Sequence, residues 1–301
     1  MSAVASPTAL ICGISGQDGS CLAQLLLSRG YLAIGTARDA QMSSFANLDR
    51  LGIRSQVQVV AIAINDFRSV LQVLSCHQPA AIYRLAGQSS VGLTFEQPVA
   101  TLERTSIGTL NLLESIRLLD KGIRLYNASS GECFGDTGDA RANEETPFRP
   151  RSPYAVAKAA AFWQVANYRE AYGLFACSGI LFNHESPLRP ERFVTQKVVR
   201  AACRIAADSG ERQQLDNMDI QARLGAGLLN VWTPCGACCS KALRKTSSSP
   251  PAKPAPCRTS WPKRFLRRAF SGGMMSQPTQ PLFALQTCAS AERTLRWLQR
   301  C

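Results

Sequence analysis

Short apolar runs alternate with stretches of helical periodicity along the first part of the chain. Six runs have the length and composition of buried strands: Ala9–Cys12, Tyr31–Ala37, Val57–Ile62, Ala81–Leu85, Ile123–Asn127 and Phe175–Leu181. Helical spacing is clearest after the first run, where it stops at Gly30, and in Thr109–Leu119 and Tyr154–Tyr172. Strands that alternate with helices form a parallel sheet covered on both faces. The pattern predicts an α/β fold with a doubly wound, Rossmann-like parallel sheet and ligands at the carboxyl ends of the strands.

Charge and composition change near residue 220. Residues 1–220 hold 21 basic and 20 acidic residues, whereas residues 221–301 hold 13 basic residues and one acid, Glu292. The second part also contains eight of the sixteen prolines and six of the twelve cysteines. This segment also lacks the sustained hydrophobic periodicity of a packed domain. We therefore expect a folded domain at 1–220 and a basic, Pro- and Cys-rich, poorly ordered tail at 221–301.

Several classes of protein are excluded by these features. No apolar run approaches the roughly 20 residues that cross a bilayer, and no signal peptide is visible, so we expect a cytoplasmic protein without membrane partners. The net charge of +13 comes almost entirely from the tail, which argues against a nucleic-acid surface on the folded part. Cys235–Cys239 resembles half of a zinc site, but the tail has no second such pair and no histidine, so no metal is expected.

A glycine-rich turn follows the first predicted strand. Gly13, Gly16 and Gly19 form a GxxGxxG pattern at the start of a helix, where backbone amides can meet a pyrophosphate. Arg38 and Asp39 follow the second strand. An acid at this place accepts from the ribose hydroxyl of NAD, while an arginine suits the 2′-phosphate of NADP. Arg38 favours NADP, and a solvated surface arginine is the alternative.

Proton-transfer groups follow on the next elements. Tyr154 and Lys158 are spaced i, i+4 and share one helix face, where a cation would favour the phenolate. Ser130 and Glu132 follow the fifth strand at its carboxyl end. A hydroxyl, a carboxylate and a Tyr/Lys pair on consecutive elements indicate acid–base chemistry beside a nicotinamide.

Residues 8 to about 220 resemble an extended short-chain dehydrogenase/reductase, and within it the GDP-mannose 4,6-dehydratase family. The segments that carry the resemblance are Gly13–Ser20, Leu85–Ser89, Pro150–Tyr154 with Lys158, Asn167–Tyr172, Gly179–Pro187, Arg189 and Phe193–Thr195. The resemblance implies a lyase that uses NADP to convert GDP-mannose to GDP-4-keto-6-deoxymannose, and a homo-oligomer where the fold is intact.

The resemblance also implies residue roles. Tyr154 would remove the C4 hydroxyl proton, Lys158 would lower its pKa and hold the nicotinamide ribose, and Ser130 would hydrogen-bond the C4 hydroxyl. Glu132 would take the C5 proton. The implied cofactor residues are Gly13, Ile14, Ser15, Gly16, Gln17, Asp18, Arg38, Leu85, Ala86, Gly87, Gln88, Ser89, Lys158, His184 and Arg189. Ala63–Asp66 departs from the acidic pattern usual near the adenine, which leaves Asp66 as an alternative contact.

The tail departs further from the family. Synonymous codons for Ala222–Gly225, read one base later, give the Arg-Asp-Trp that the family carries after this point, and two later segments behave similarly. We therefore interpret the tail as out of frame after two single-base insertions, with the substrate-binding part replaced. The chain translated without these insertions is called here the frame-restored chain.

Two alternatives remain at this point. One is another NAD(P)-dependent sugar-nucleotide epimerase or reductase, which would not need Glu132 as a base for C5. The other is a non-enzymatic basic binding protein on a dinucleotide-binding scaffold, which the near-neutral charge of residues 1–220 disfavours.

Overall fold

The structure is a computed structural model that describes residues 6–87, 91–137, 142–143, 145–193, 196–197, 199–201 and 204. Among these residues the chain divides into two units, the first ending at Phe182 and the second beginning at Asn183. The sequence-based boundary at residue 220, the tail at 221–301, and Gln88 and Ser89 lie outside the described residues.

Six parallel strands form the sheet of the first unit, counted over its described residues. They are β1 (Thr8–Cys12), β2 (Leu32–Ala37), β3 (Val57–Ala61), β4 (Ala81–Arg84), β5 (Arg124–Ser130) and β6 (Ala176–Leu181). Their order is β3-β2-β1-β4-β5-β6, and every pairing is parallel. The strand order reverses between β1 and β4, where doubly wound sheets bind their ligands. The predicted fold class is confirmed.

Helices connect the strands as crossovers. They are α1 (Gln17–Ser28), α2 (Ala46–Arg50), α3 (Phe67–His77), α4 (Val91–Glu96), α5 (Pro98–Leu102), α6 (Gly108–Leu119) and α7 (Pro153–Tyr172). A π-helical turn, Glu103–Ile107, joins α5 to α6, and a 3-10 turn, Gly131–Phe134, follows β5. None of the described helices is long and apolar enough to cross a lipid bilayer.

The core lies between the sheet and helices α3, α6 and α7. Alternate strand positions such as Leu10, Ile82 and Leu125 pack with Leu74 of α3 and Leu112 of α6. Each of these side chains is at most 1% exposed. Burying a leucine or isoleucine stabilises the folded state by about 1.5–3 kcal/mol. This packing holds the carboxyl ends of the strands at fixed positions.

Local sequence signals explain where α7 begins and ends. The Ser152 hydroxyl accepts a hydrogen bond from the Ala155 N–H at 3.1 Å, and Pro153 occupies the first helical position. Gly173 closes the helix with φ at 71°, a left-handed conformation that favours glycine. The helix therefore starts just before Tyr154 and places Tyr154 and Lys158 in its first turns.

Candidate active site

The glycine-rich turn between β1 and α1 is packed too tightly for side chains. A Cβ on Gly13, whose φ is +97°, would lie 2.8 Å from the Ala86 nitrogen. A Cβ on Gly19 would lie 2.3 Å from the Gly13 carbonyl oxygen. The first glycine thus allows the turn to approach the loop after β4, and the last allows α1 to approach β1.

Gly16 leaves the start of α1 open. It is the N-cap of the helix, has extended backbone angles, and no side chain caps the helix there. A Cβ on Gly16 would have only the Gly13 oxygen within 4 Å, at 3.4 Å. The N-terminus of α1 thus carries no side-chain cap, and a helix N-terminus favours an anion such as the pyrophosphate of a dinucleotide. The residues present fit a bound dinucleotide at this turn.

Neighbouring elements fix the shape of the turn. The Ser20 hydroxyl donates to the Ile14 carbonyl at 2.9 Å, and the Asn47 side-chain amide donates to the Ser15 carbonyl at 3.0 Å. Gln17 is buried, Asp18 is half-buried, and Ser15 is exposed. The turn is thus held from α1 and from α2, which lies after the second strand.

Arg38 and Asp39 differ in what holds them after β2. One carboxylate oxygen of Asp39 accepts from the Gln41 and Met42 N–H groups, both at 2.8 Å, and so closes a local turn. Arg38 is exposed and makes no hydrogen bond or ion pair with any residue that the structure describes. Asp66 is likewise engaged, because it caps α3 by accepting from the Ser69 N–H at 3.0 Å.

Strand β5 is longer than the sequence pattern predicts. It continues through Ala128, Ser129 and Ser130, which pair in register with Gly179, Ile180 and Leu181 of β6. The sequence pattern predicts that the strand ends at Asn127, before these residues. Since they belong to the sheet, the Ser130 hydroxyl is held on a rigid element.

Ser130 links the strand to both proton-transfer groups. Its hydroxyl oxygen accepts from the Glu132 N–H at 3.2 Å, and its side chain acts on Tyr154 by lowering the pKa of the phenol. Glu132 lies on the 3-10 turn and is exposed. The structure thus brings Ser130, Glu132 and Tyr154 together, as the spacing of the elements predicts.

Lys158 lies beneath Tyr154. Its ammonium nitrogen donates to the Ala128 carbonyl at 2.6 Å and lies 5.7 Å from the centroid of the Tyr154 ring. The side chain is 4% exposed. The pKa of Lys158 is lowered to about 7, mainly by burial and in addition by the positive charge of Arg84.

The pKa of Tyr154 shifts in the direction opposite to the one expected. Burial raises it, the hydrogen bond with Ser130 lowers it, and the nearby Cys133, Glu132 and Asp18 raise it. The effect of burial is the largest because the phenolate would lose its solvation. A lowered pKa therefore requires charge or hydrogen bonds beyond those of the described residues.

Phe182 supports the turn that carries Glu132. A Cβ on Gly131 would lie 2.6 Å from the Phe182 ring, so only glycine lets the turn pass over it. The Phe134 ring stacks on Phe182 at 6.3 Å and meets Phe148 edge-on at 5.2 Å. This aromatic packing fixes the backbone from which the Glu132 side chain projects.

Lys158 predicts a pH dependence of stability. Between its folded pKa of about 7 and the ordinary value of 10.5, the unfolded chain binds a proton that the folded chain does not. This residue therefore contributes about 1.4 kcal/mol of stability per pH unit as pH rises through that window. Lys158→Met is expected to lose this slope in urea unfolding at several pH values. Lys121→Met, at an exposed position, is the control, and equal slopes in all three proteins would contradict the prediction.

His184 and Arg189 belong to the second unit. The Arg189 guanidinium donates to the His184 carbonyl at 2.6 Å, lies 3.3 Å from the Glu185 carboxylate and covers the Phe193 ring at 4.0 Å. His184 is 7% exposed. The two residues are thus neighbours, and their roles toward a cofactor remain predictions.

Two buried residues near the site were not singled out from the sequence. Arg84 ends β4 and Cys133 lies on the 3-10 turn, with its sulfur 3.7 Å from the Ser129 hydroxyl. Arg84 carries a signal in the sequence, because a charge inside the apolar run Ala81–Leu85 is unusual in a central strand. Cys133 has no such signal. In the described part of the chain, no cluster of three or more His, Cys, Asp or Glu side chains is arranged to hold a metal.

Proteins of known family are similar to this chain in sequence. GDP-mannose 4,6-dehydratase from Sinorhizobium fredii is 42% identical over 237 residues, which are 75% of this chain and 68% of that protein. The Vibrio cholerae protein of the same name is 43% identical over 218 residues, which are 70% of this chain and 59% of that protein. The chain thus spans about three fifths to two thirds of the length of these relatives.

Among solved structures, UDP-glucose 4-epimerase from Thermus thermophilus, a complex with NAD, is similar with a TM-score of 0.65. It is 25% identical, and the match covers 80% of this chain and 75% of that one. The sequence model of the family described as GDP-mannose 4,6 dehydratase matches residues 10–225. With the glycine turn, the Ser130–Tyr154–Lys158 arrangement and Glu132 on one sheet edge, this match shows that the chain belongs to the GDP-mannose 4,6-dehydratase family.

Proposed function

We propose that the first unit carries the catalytic and cofactor-binding residues for the NADP-dependent dehydration of GDP-mannose to GDP-4-keto-6-deoxymannose in the cytoplasm. The observation that carries this proposal is the placement of Ser130, Glu132, Tyr154 and Lys158 around the end of β5. Membership of the family supports the substrate.

The roles follow from what each group can do. When bound, NADP supplies the oxidation at C4 of the mannose and the later reduction at C6. Tyr154 takes the C4 hydroxyl proton, while the Ser130 hydroxyl hydrogen-bonds the C4 oxygen. Lys158 is held by its hydrogen bond to the Ala128 carbonyl. It orients the Tyr154 side chain and binds the nicotinamide ribose.

Glu132 supports a dehydratase over an epimerase. A ketone at C4 acidifies the C5 proton, which the exposed Glu132 carboxylate takes as the C6 hydroxyl leaves with a proton as water. An epimerase that acts only at C4 needs no such base. A carboxylate directly on the turn after β5 is therefore the feature that selects the reaction.

The proposed cofactor-binding residues lie on the glycine turn and the loop after β4. The glycine turn, with Gly13 and the uncapped N-terminus of α1 after Gly16, binds the pyrophosphate, and Leu85–Gly87 line the site next to it. Resemblance to the family is the support for His184 and Arg189 as further cofactor residues. We also propose that the chain forms a homo-oligomer when the fold is intact.

The test compares turnover of GDP-mannose by the chain as it stands and by the frame-restored chain. We expect GDP-4-keto-6-deoxymannose from the frame-restored chain and none from the chain as it stands, because residues 222–301 do not carry the family's continuation. Mass spectrometry of the nucleotide sugar after incubation with NADP measures both. Product from the unmodified chain would overturn the frameshift interpretation, and no product from either would overturn the proposed reaction.

Cofactor preference gives a separate prediction. Because Arg38 is exposed and without a partner among the described residues, its guanidinium is free to meet the 2′-phosphate of NADP. Arg38→Ala should weaken NADP binding about tenfold, or about 1.4 kcal/mol, and leave NAD binding unchanged. Fluorescence titration measures both affinities. Arg29→Ala, an exposed arginine at the far end of α1, is the control, and equal NADP and NAD affinities that Arg38→Ala leaves unchanged would remove the role of Arg38.

A further inference from the structure

A buried arginine ends the central strand β4. Arg84 is 0% exposed and pairs in register with Cys12 of β1 and Asn127 of β5. It therefore lies at the point where the strand order reverses, in the middle of the sheet's carboxyl edge. Arginine is almost never fully buried without a specific partner.

Backbone carbonyls hold the Arg84 guanidinium. It donates to the Ala86 carbonyl at 2.5 Å, to the Thr105 carbonyl at 3.0 Å and to the Arg104 carbonyl. Arg104 and Thr105 belong to the π-helical turn, and π-turns inside helices are frequent at functional sites. The side chain thus joins the loop after β4 to the turn between α5 and α6.

The charge of Arg84 is not neutralised within the described part of the chain. No carboxylate there forms an ion pair with it, and its Nε atom is buried without a hydrogen-bond partner. Carbonyl dipoles offset part of the desolvation cost but do not cancel the charge. The packing of β4 does not require a charge at this position. The location of Arg84 relative to the candidate active site is therefore the place to look for its role.

The register places Arg84 next to the catalytic lysine. Arg84 lies opposite Asn127, and Lys158 donates to the carbonyl of the following residue, Ala128. Ala86, which Arg84 holds, is the residue that Gly13 approaches across the site. One side chain therefore touches the cofactor loop and lies beside the proton-transfer pair.

The pKa shifts of Arg84 and Lys158 agree with this geometry. Burial lowers the pKa of Arg84 to about 10, so it stays charged at neutral pH, and its charge lowers the pKa of Lys158. The other groups that act electrostatically on Lys158 are Cys133 on the 3-10 turn and Asp18 on α1, and Tyr154 on α7 acts on Arg84. Arg84 is the cation among them.

We propose that Arg84 is a positioning residue of this active site: it fixes the loop that follows β4 and provides a second positive charge beside Lys158 and Tyr154. The role rests on the proposed function only in assigning proton transfer to Tyr154 and Lys158. The loop carries Leu85, Ala86 and Gly87, on which the cofactor would lie. The charge acts with burial to weaken the hold of Lys158 on its proton.

The experiment uses the full chain and needs no turnover. Arg84→Met and Arg84→Gln remove the charge, and Arg29→Met removes an exposed arginine at the opposite end of α1. The Lys158 Cε resonance is followed against pH in protein labelled with ¹³C-lysine and is assigned by its absence in Lys158→Met. NADP affinity is measured by fluorescence titration on the same samples.

Both neutral variants should hold the Lys158 proton about tenfold more tightly, so that Lys158 titrates above its value of about 7. NADP should bind about tenfold more weakly to both, and Arg29→Met should behave as the unmodified chain in each measurement. An unchanged titration of Lys158 in either folded variant overturns the proposal. Failure of both variants to fold also overturns it, because Arg84 would then serve the fold alone. Loss of GDP-mannose turnover in the frame-restored chain would leave these results intact, so the two hypotheses fail separately.

Discussion

Glu132→Gln in the frame-restored chain is expected to lower production of GDP-4-keto-6-deoxymannose by a factor on the order of 10² to 10⁴. This is the usual contribution of one positioned acid or base. The amide keeps the size of the side chain and the backbone N–H that donates to the Ser130 hydroxyl, but it cannot accept the C5 proton. Oxidation at C4 does not use this carboxylate and should be much less affected.

The measurement separates the two halves of the reaction. Reduced nicotinamide is followed by its absorbance during a single turnover, and the nucleotide sugars are separated by chromatography. Reduced cofactor and the 4-keto sugar that retains its C6 hydroxyl should accumulate in the variant. Glu170→Gln, an exposed carboxylate in the last turn of α7, is the control. An unchanged rate of product formation in Glu132→Gln would show that another group removes the C5 proton.

Tyr154→Phe is expected to lower the rate of C4 oxidation by a similar factor, on the order of 10² to 10⁴. The variant loses the phenol hydroxyl and leaves the ring above Lys158 in place. Because the block comes before the ketone forms, neither reduced nicotinamide nor any keto sugar should appear. This outcome differs from that of Glu132→Gln and identifies the earlier step.

Tyr172→Phe provides the matched control, since Tyr172 lies at the end of the same helix and is 42% exposed. Its single-turnover trace should match that of the frame-restored chain. If Tyr154→Phe still reduces the cofactor at an unchanged rate, the C4 proton leaves by another route, and Ser130 is then the next hydroxyl to test.

The strands could be predicted from sequence because each is buried by helices. Buried parallel strands appear as apolar runs, and the six predicted runs match the observed strands to within one residue at most ends. The exception is the end of β5, where Ala128, Ser129 and Ser130 have the composition of a loop. Their strand conformation comes from pairing with Gly179–Leu181, about fifty positions later, which no local pattern reveals.

Several helical elements gave no usable pattern. The helices α2, α4 and α5 have five or six residues each, too few for an amphipathic period to emerge. The π-turn Glu103–Ile107 also depends on tertiary contact, since the carbonyls of Arg104 and Thr105 point to Arg84. Such a turn is defined by its partner rather than by its own residues.

The candidate site residues were easier to select from sequence than their electrostatics. Tyr154, Lys158, Ser130 and Glu132 could be found because chemistry-bearing side chains followed strand ends or shared a helix face. The direction of the Tyr154 pKa shift could not be predicted from strand ends and helix faces. It depends on burial, which exists only once β5 and α7 pack together.

The order of the strands also bears on synthesis at the ribosome. β1 pairs with β4, which is translated about seventy residues later. The sheet edge between these two strands, where the cofactor is proposed to bind, forms only after β4 has been made. The last strand, β6, ends at Leu181, forty residues before Gln221. Chains fold from the N-terminus as they emerge. On the interpretation that the reading frame departs after Gln221, the six described strands are all translated before that point. We therefore expect these six strands to form before the tail is made, so that a lost reading frame would spare cofactor binding even where it abolishes turnover.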